Sequence, residues 1–471
     1  MKVALIWPHG FDRTTVMPLA LGYLKSNLDL ERHEVRIVNC VLTDRDARSP
    51  ALAAELREFA PRVVGVTCWG PTFPEAMDLF RLVRNILPDA VTVIGGVQAS
   101  SYYEKIIQNK EIDFLFRGEA ELSFPVFLDE LEQQNPDWSR VKGLTWLDGS
   151  GQMHTNDVER ETNLDRIRIP DYAAMDLQGY RAIGYRWNTT VINNAPIWVT
   201  RGCPYQCTFC NAPNLNGRDV RVHSLEYVVA WIKYLYDEWG TRWFNIIDDN
   251  FTFNVDYAKR FCRAMIALNL PGIGFGTPNG IRMQRGDPEL WRLMKQAGWR
   301  FVIVAPESGS PRTLQRMKKK INLDLIPGVV DQLRKAGLKV QAFFIVGFPG
   351  ETREDLMLTL DFIRRCRFNF IFLGNFQPLP GTPIYDELVR EGEIVDGLLP
   401  KTYSDGVRTY TPSGLKDFNF PGFILRTYLM FALRDPLNIP YMLKIFNPRF
   451  LLGKLMRNIA EMLKRTLAWQ K

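Results

Sequence analysis

Short apolar strands alternate with helical patterns over the first 135 residues, and this alternation narrows the folds open to the chain. Strands that are joined through helices form a parallel sheet with helices on both faces. The sequence therefore predicts a doubly wound α/β domain over residues 1–135. The strand patterns lie at residues 2–7, 34–38, 63–67, 91–94 and 114–116, and the helical patterns lie at residues 17–28, 51–59 and 74–86.

Glycine-containing loops follow four of the predicted strands. Ligands of doubly wound sheets bind at the carboxyl ends of the strands, so we expect these loops to hold a cofactor. No G-x-G-x-x-G pattern follows the first strand, which disfavours a nicotinamide or flavin dinucleotide. Alternatively, each glycine serves only a tight turn. The loops are Pro8-His9-Gly10, Thr67-Cys68-Trp69-Gly70, Gly95-Gly96 and Gly118-Glu119.

Three of the seven cysteines fall within eight positions, at Cys203, Cys207 and Cys210. Clustered thiols in a chain with so few cysteines indicate a metal site rather than a disulfide framework. Their C-x3-C-x2-C spacing suits three irons of a cubane cluster, whereas a structural zinc ion needs a fourth ligand. The nearest histidine, His223, lacks a partner cysteine, and Asn211 after the last cysteine excludes haem attachment. A zinc site and three unrelated buried cysteines are the alternatives.

The spacing of the cysteines, with the aromatic Phe209 before the last of them, resembles the signature of the radical S-adenosylmethionine (SAM) superfamily. The resemblance implies that three thiolates bind a [4Fe–4S] cluster, whose fourth iron takes the amino and carboxylate groups of SAM. It also implies reductive cleavage of SAM to a 5′-deoxyadenosyl radical, with electrons from a donor of the flavodoxin or ferredoxin type.

Residues further along the chain resemble the SAM site of the same family. An acidic pair follows one predicted strand, and a Glu-Ser-Gly turn follows another. Carboxylates at such places can bind an ammonium group or ribose hydroxyls. Strand and helix patterns keep the order of the family over residues 191–399, so a partial (β/α)6 barrel is expected. The residues that the resemblance assigns to SAM are Phe209, Asp248, Asp249, Arg282, Glu307, Ser308 and Gln341.

A doubly wound domain followed by such a barrel resembles the cobalamin-binding radical SAM group, which comprises the class B methyltransferases and related cyclases. A small hairpin and a linker at residues 136–190 would join the two parts. The D-x-H-x-x-G pattern that often supplies a cobalt ligand is absent, and His9 lacks its preceding acid. The lower face of cobalt would then be open or covered by Trp69. The resemblance assigns cobalamin contacts to His9, Thr67, Trp69, Gly95, Gly96, Gly118 and Glu119.

The implied reaction is methylation of an unactivated carbon. One SAM molecule would methylate cobalamin, and a second, cleaved at the cluster, would abstract hydrogen from the carbon that receives the methyl group. Relatives use the same parts for ring closure or rearrangement. Two other interpretations are a non-catalytic cobalamin sensor and a tRNA methylthiotransferase, which needs three cysteines in its first domain, where only Cys40 and Cys68 occur. No residue set identifies the substrate.

The net charge of +7 belongs to residues 401–471, where 12 Lys or Arg stand against 4 Asp or Glu. The rest is nearly neutral, so we expect no nucleic-acid partner. Helical patterns over residues 400–471 include one at 454–467 with an apolar face and basic residues elsewhere. This region either caps the barrel or contacts anionic lipid at a membrane surface or an acidic lipophilic substrate. Because no run of 18 apolar residues occurs, we expect a cytoplasmic enzyme. Its expected substrate is a small or lipophilic molecule.

Overall fold

The computed structural model describes residues 1–10, 16–185, 189–400, 408–434, 436, 439 and 440. The amino-terminal part contains one sheet of seven strands. They are β1 (Lys2–Trp7), β2 (Glu34–Asn39), β3 (Val63–Thr67), β4 (Val91–Gly95), β5 (Phe114–Phe116), β6 (Leu144–Leu147) and β7 (Met153–Thr155). Their order in the sheet is β2-β1-β3-β4-β5-β6-β7, with β1 to β5 parallel and the last two antiparallel.

This order confirms the doubly wound domain and places its topological switch point between β1 and β3, where ligands of such sheets bind. The hairpin that the sequence predicts beyond residue 135 is present as β6 and β7. It does not stand alone, because β6 pairs with β5 and extends the same sheet. The amino-terminal sheet therefore continues past the predicted boundary, to Thr155.

Six strand positions in the second part lie side by side in a partial barrel. Two three-stranded parallel sheets are joined through an isolated bridge between Ile281 and Val304. The barrel strands are β8 (Asn194–Ile197), β11 (Trp243–Ile246), β12 (Gly274–Gly276), β13 (Phe301–Glu307), β14 (Lys339–Val346) and β15 (Phe370–Asn375), and a small antiparallel pair, β9 (Thr200–Arg201) and β10 (Arg221–Val222), lies beside them. The expected partial (β/α)6 barrel is confirmed.

Helices surround both sheets, and the long barrel helices begin at polar residues. The side chains of Ser224, Asn254 and Asp287 accept hydrogen bonds from backbone N–H groups of the first turn that follows them. The helices are α1 (Leu19–Ser26), α2 (Pro50–Phe59), α3 (Phe73–Ile86), α4 (Val97–Ser101), α5 (Tyr103–Ile106), α6 (Ser123–Leu131), α7 (Leu177–Ala182), α8 (Ala212–Asn216), α9 (Leu225–Asp237), α10 (Val255–Leu268), α11 (Pro288–Ala297), α12 (Pro311–Arg316), α13 (Ile326–Lys335), α14 (Arg353–Arg365), α15 (Pro383–Arg390) and α16 (Phe420–Arg434).

The two parts pack directly against each other. Leu19 and Tyr23 of α1 belong to the same apolar core as the barrel helices. Gly22 lies so close to Met175 that a Cβ atom there would come within 2.5 Å of its sulfur. On the other side, Gly381 approaches the backbone of Ser101 to the same degree. Close contacts on two sides therefore hold the two parts of the chain together.

Helix α16 is the described part of the predicted carboxyl-terminal helical region. The segment predicted at residues 454–467 lies outside the described residues. Among the described helices, none combines the length and the apolar run that crossing a bilayer requires.

Candidate functional site

The three clustered cysteines lie on a loop between β9 and α8, directly above the first barrel strand. Gly202 opens the loop with φ +94°, and a Cβ atom there would lie 2.2 Å from the carbonyl oxygen of Asp219. Only glycine permits this close approach. The loop then turns back on itself, because the N–H of Cys210 donates to the carbonyl oxygen of Cys207 at 3.3 Å.

Hydrogen bonds from parts of the barrel that are distant in sequence hold this loop in place. Thr208, between the second and third cysteines, donates its N–H to Met317 at 3.0 Å and its hydroxyl to Arg316 at 3.1 Å. Its carbonyl oxygen accepts the N–H of Ile384, at the start of α15. Asn211 donates to the carbonyl of Pro380 at 3.1 Å. Residues more than 100 positions away thus hold the cysteine loop in place.

The thiols are unpaired, half-buried and close enough to influence one another's ionisation. Burial raises the pKa of Cys203, and it raises the pKa of Cys210 to about 12. A bound metal would reverse this shift, because only the thiolate is a ligand. No group of His, Cys, Asp or Glu in the described residues converges on a single metal ion. Three separate irons of a cubane cluster do not require such convergence.

A cavity of about 310 Å³ connects the carboxyl ends of the amino-terminal sheet with those of the barrel. From the sheet side, Trp7, Thr67 and Trp69 line the topological switch point. From the barrel side, the lining includes Trp198 and Asp249. The cavity is mainly apolar and reaches between the sheet and α1. Residues from both halves of the chain therefore line one cavity.

The glycines predicted to contact a cofactor have different structural roles at this cavity. Gly96 has φ +97°, and a Cβ atom would lie 2.7 Å from both the carbonyl oxygen of Cys68 and Oγ1 of Thr67. Gly118, with φ +73°, donates its N–H to Ser100 Oγ at 2.9 Å. Gly95 differs, because a Cβ atom there would meet nothing closer than Phe116, at 4.0 Å. Its missing side chain leaves space in the cavity.

A buried charge cluster closes the cavity between the two parts of the chain. Arg201, fully buried in β9, lies 2.7 Å from Glu121 and 3.3 Å from Glu119. Arg221 of the neighbouring β10 contacts Glu119 at 2.5 and 2.9 Å. Sequence analysis missed both arginines and predicted only a cofactor role for Glu119. An arginine directly before the glycine of the cysteine loop was the available signal.

Comparison with known proteins agrees with this architecture. Residues 13–128 match the B12 binding domain, and residues 197–363 match the radical SAM superfamily. The chain belongs to the cobalamin-binding radical SAM enzymes. Cytidylyl-2-hydroxyethylphosphonate methyltransferase of Streptomyces wedmorensis is 28% identical over 452 residues, 86% of this chain and 84% of the relative. Anaerobic magnesium-protoporphyrin IX monomethyl ester cyclase of Cereibacter sphaeroides is 27% identical over 409 residues, 85% and 65%.

A solved structure has the same fold. The radical S-adenosylmethionine methyltransferase TsrM of Kitasatospora setae, with cobalamin and a [4Fe–4S] cluster bound, superposes with a TM-score of 0.73. It is 18% identical in sequence, and the match covers 90% of each chain. The likeness therefore extends over both domains of this radical SAM enzyme.

The two aspartates assigned to SAM occupy different places in the enzyme. Asp248 is buried and accepts hydrogen bonds from the N–H groups of Val199 and Thr200 at 2.8 and 2.9 Å. Burial raises its pKa to about 8. Its carboxyl joins the end of β11 to the segment that leads into the cysteine loop. Asp249 instead lines the cavity and accepts a hydrogen bond from Asn216 at 2.8 Å.

Glu307 and Arg282 are held by a third residue, Lys319. The Lys319 ammonium lies 2.8 Å from Glu307 and 5.8 Å from the ring centre of Phe209. Burial acts to lower the pKa of Lys319, but the attraction of Glu307 and Cys207 and the hydrogen bond to Glu307 together outweigh burial, so the pKa is raised. Arg282 donates to the carbonyl oxygens of Lys319 and Lys320, and its guanidinium stacks on Tyr205. Phe209, Arg282 and Glu307 thus meet beside the cysteine loop.

Two other residues assigned to SAM lie elsewhere. The Ser308 hydroxyl is buried against Thr359 of α14, at 3.1 Å, on the outer side of the barrel. Gln341 is the third residue of the eight in β14, towards the amino end, and is fully buried. Ligands of such barrels bind at the carboxyl ends of the strands. We therefore leave Ser308 and Gln341 out of the proposed site.

Most of the residues assigned to cobalamin line the cavity, but one of them does not. Thr67, Trp69 and the three glycines line the cavity, and Glu119 lines it while paired with two arginines. His9 does not contribute to the lining. Its ring nitrogen contacts Asp44 at 3.0 Å, and 43% of its side chain is exposed. The structure thus gives His9 a surface partner away from the lining of the cavity.

Proposed function

We propose that this enzyme transfers a methyl group to an unactivated carbon of an apolar small molecule. The supporting observation is one cavity that places the glycine edge of the B12-binding sheet opposite Arg201 and Asp249 of the barrel. When bound, SAM and the cluster supply a 5′-deoxyadenosyl radical, and cobalamin supplies the methyl group. Both groups must reach one carbon, and a shared chamber meets that requirement.

The residues present fit these groups. Three thiols, with no fourth ligand beside them among the described residues, would leave one iron of a cubane cluster free for SAM. Asp249, which accepts hydrogen bonds from Asn216 and Gly202, would bind the SAM ammonium group. The open backbone at Gly95 would admit cobalamin, with Trp69 at its lower face. The apolar lining of the chamber would exclude water from the radical.

An aromatic wall inside the barrel supports an apolar substrate. Phe343 and Phe372 are register partners on β14 and β15, with ring centres 5.0 Å apart. Both are half-buried and pack against Trp243 and Phe301, in a cluster separate from the core between strands and helices. A substrate with a flat apolar surface would contact the exposed parts of the Phe343 and Phe372 rings.

Ring closure is the second candidate, because the cyclase relative matches 85% of this chain. The two functions differ in the product. Methylation adds a carbon that comes from the SAM methyl group, whereas ring closure adds none. Both would need a one-electron donor of low potential.

The first test is anaerobic reconstitution with iron, sulfide and hydroxocobalamin, followed by measurement of bound iron and cobalt. We expect about four irons and one cobalt per chain. Cys203→Ala should lose iron, whereas Cys262→Ala, a buried cysteine of α10, should retain it. Iron without cobalt would refute the methylcobalamin function. Cobalt without formation of 5′-deoxyadenosine would instead identify a sensor.

Two further measurements complete this test. Transfer of label from methyl-labelled SAM to a carbon of an apolar acceptor would separate methylation from ring closure. Trp69→His should change the absorption spectrum of the bound cobalamin, because an imidazole would be offered to the lower face. An unchanged spectrum would contradict the placement of Trp69.

A further inference from the structure

Three consecutive lysines follow α12, and only the middle one is largely shielded from solvent. Lys318 and Lys320 are exposed, whereas the side chain of Lys319 retains 12% of its accessible surface. Its ammonium lies above Phe209, which stands between the last two cysteines, and it is within electrostatic reach of Cys203 and Cys207. Of the three consecutive lysines, the fold thus places the ammonium group of Lys319 beside the thiols.

The backbone around Lys319 is held in an uncommon conformation. Lys318 and Lys320 have φ +49° and +51°, and Glu307, which pairs with Lys319, has φ +68°. Left-handed conformations are costly for residues other than glycine and persist where the surroundings fix them. Here the guanidinium of Arg282 holds the carbonyl oxygens of Lys319 and Lys320, and Thr208 holds that of Met317. The segment is therefore fastened to the cysteine loop.

Lys319 and Glu307 place opposite charges at this loop in a poorly solvated environment. A [4Fe–4S] cluster on three thiolates gains one negative charge when an external donor reduces it by one electron. A nearby cation stabilises the reduced state, a nearby anion destabilises it, and burial strengthens both effects. Charges on exposed lysines are screened by water and salt.

We propose that Lys319 and Glu307 set the reduction potential of the cluster, with Lys319 raising it and Glu307 lowering it. This inference rests on the proposed iron–sulfur function. Each acts as a fixed charge and not as a ligand. The pair would set how readily the donor reduces the cluster before SAM is cleaved. The effect requires neither SAM nor cobalamin to be bound.

The test is a potentiometric titration of the reconstituted protein without SAM, followed by electron paramagnetic resonance. Lys319→Gln should lower the midpoint potential, and Glu307→Gln should raise it. We expect at least a tenfold change in the ratio of reduced to oxidised cluster at fixed potential, which is about 59 mV for one electron. Lys318→Gln and Lys320→Gln remove the same charge from exposed positions and should have little effect.

Two controls separate folding from charge. Lys319→Arg keeps the charge and should keep the potential near that of the wild type, and iron content is measured for every variant. Wild-type protein that binds no iron would refute the proposed function itself. Wild-type protein with its cluster, but with equal potentials in Lys319→Gln and the two exposed variants, would overturn this inference alone. Equal potentials in Glu307→Gln and wild type would also overturn it.

Discussion

Replacing Arg201 with methionine tests the buried charge cluster that joins the two halves of the enzyme. The guanidinium is fully buried between the rings of Trp198 and Tyr23, with its centre 4.5 and 4.9 Å from theirs. Its nearest carboxylates are Glu121 and Glu119. Methionine keeps most of the volume and removes the charge.

The expected loss of stability comes from the buried carboxylates that remain when Arg201 is replaced. At 2.7 Å and an effective dielectric constant of about 20, opposite unit charges attract by about 6 kcal/mol. Desolvation of each ion costs several kcal/mol, so the intact pair contributes little net stability. Without Arg201, however, Glu119 retains Arg221, but Glu121 loses its described ion-pair partner. A buried charge without compensation costs about 3–5 kcal/mol.

Urea denaturation, followed by tryptophan fluorescence and circular dichroism, would measure this loss. The matched control is Arg263→Met, which breaks an exposed ion pair with Glu289 of similar N–O distance and should cost less than about 1 kcal/mol. Adding Glu121→Gln to Arg201→Met should restore part of the stability, because no buried charge is then left alone. Equal losses for the two single arginine variants would refute the reasoning.

Two other substitutions test the structure elsewhere. Burial lowers the pKa of His223 from 6.5 to about 4. As the pH falls, the unfolded chain therefore binds a proton at His223 before the folded chain does. Up to about 3 kcal/mol of the free energy of unfolding should be lost between pH 6.5 and pH 4. His223→Asn, which can still donate to Asp165, should reduce this pH dependence of urea denaturation, and an unchanged pH profile would contradict the assignment. Gly96→Ala should lower the free energy of unfolding by about 1–3 kcal/mol, because alanine is strained at φ +97° and its Cβ would overlap Cys68. Gly149→Ala, where a Cβ would meet no atom within 4 Å, is the control, and equal stability of the two variants would argue against the backbone constraint.

Several features could be predicted from the sequence because they depend on local order. The alternation of strands and helices predicted the doubly wound domain, and the family resemblance of the later segments implied the partial barrel. The spacing of Cys203, Cys207 and Cys210 concentrates three metal-binding thiols on one loop, whatever surrounds it. One boundary moved: the doubly wound domain was predicted to end at residue 135, yet its sheet continues to Thr155.

Side chains in similar local contexts proved harder to distinguish. Asp248 and Asp249 are neighbours with the same chemistry, but one holds backbone N–H groups and the other lines the cavity. The direction of each side chain at the end of a strand depends on neighbouring segments, which no local pattern encodes. Ser308 faces helix α14 for the same reason.

The sequence by itself determined the order of the elements, the cysteine loop and the glycines at the sheet edge, because these depend on residues close together in the chain. Only the tertiary structure decided which charges meet. It brought Arg201 to Glu121, and it shielded most of Lys319 from solvent beside Glu307 while leaving Lys318 and Lys320 exposed. The strength of a charge depends on its burial and its partners, and both are fixed only when distant segments pack together.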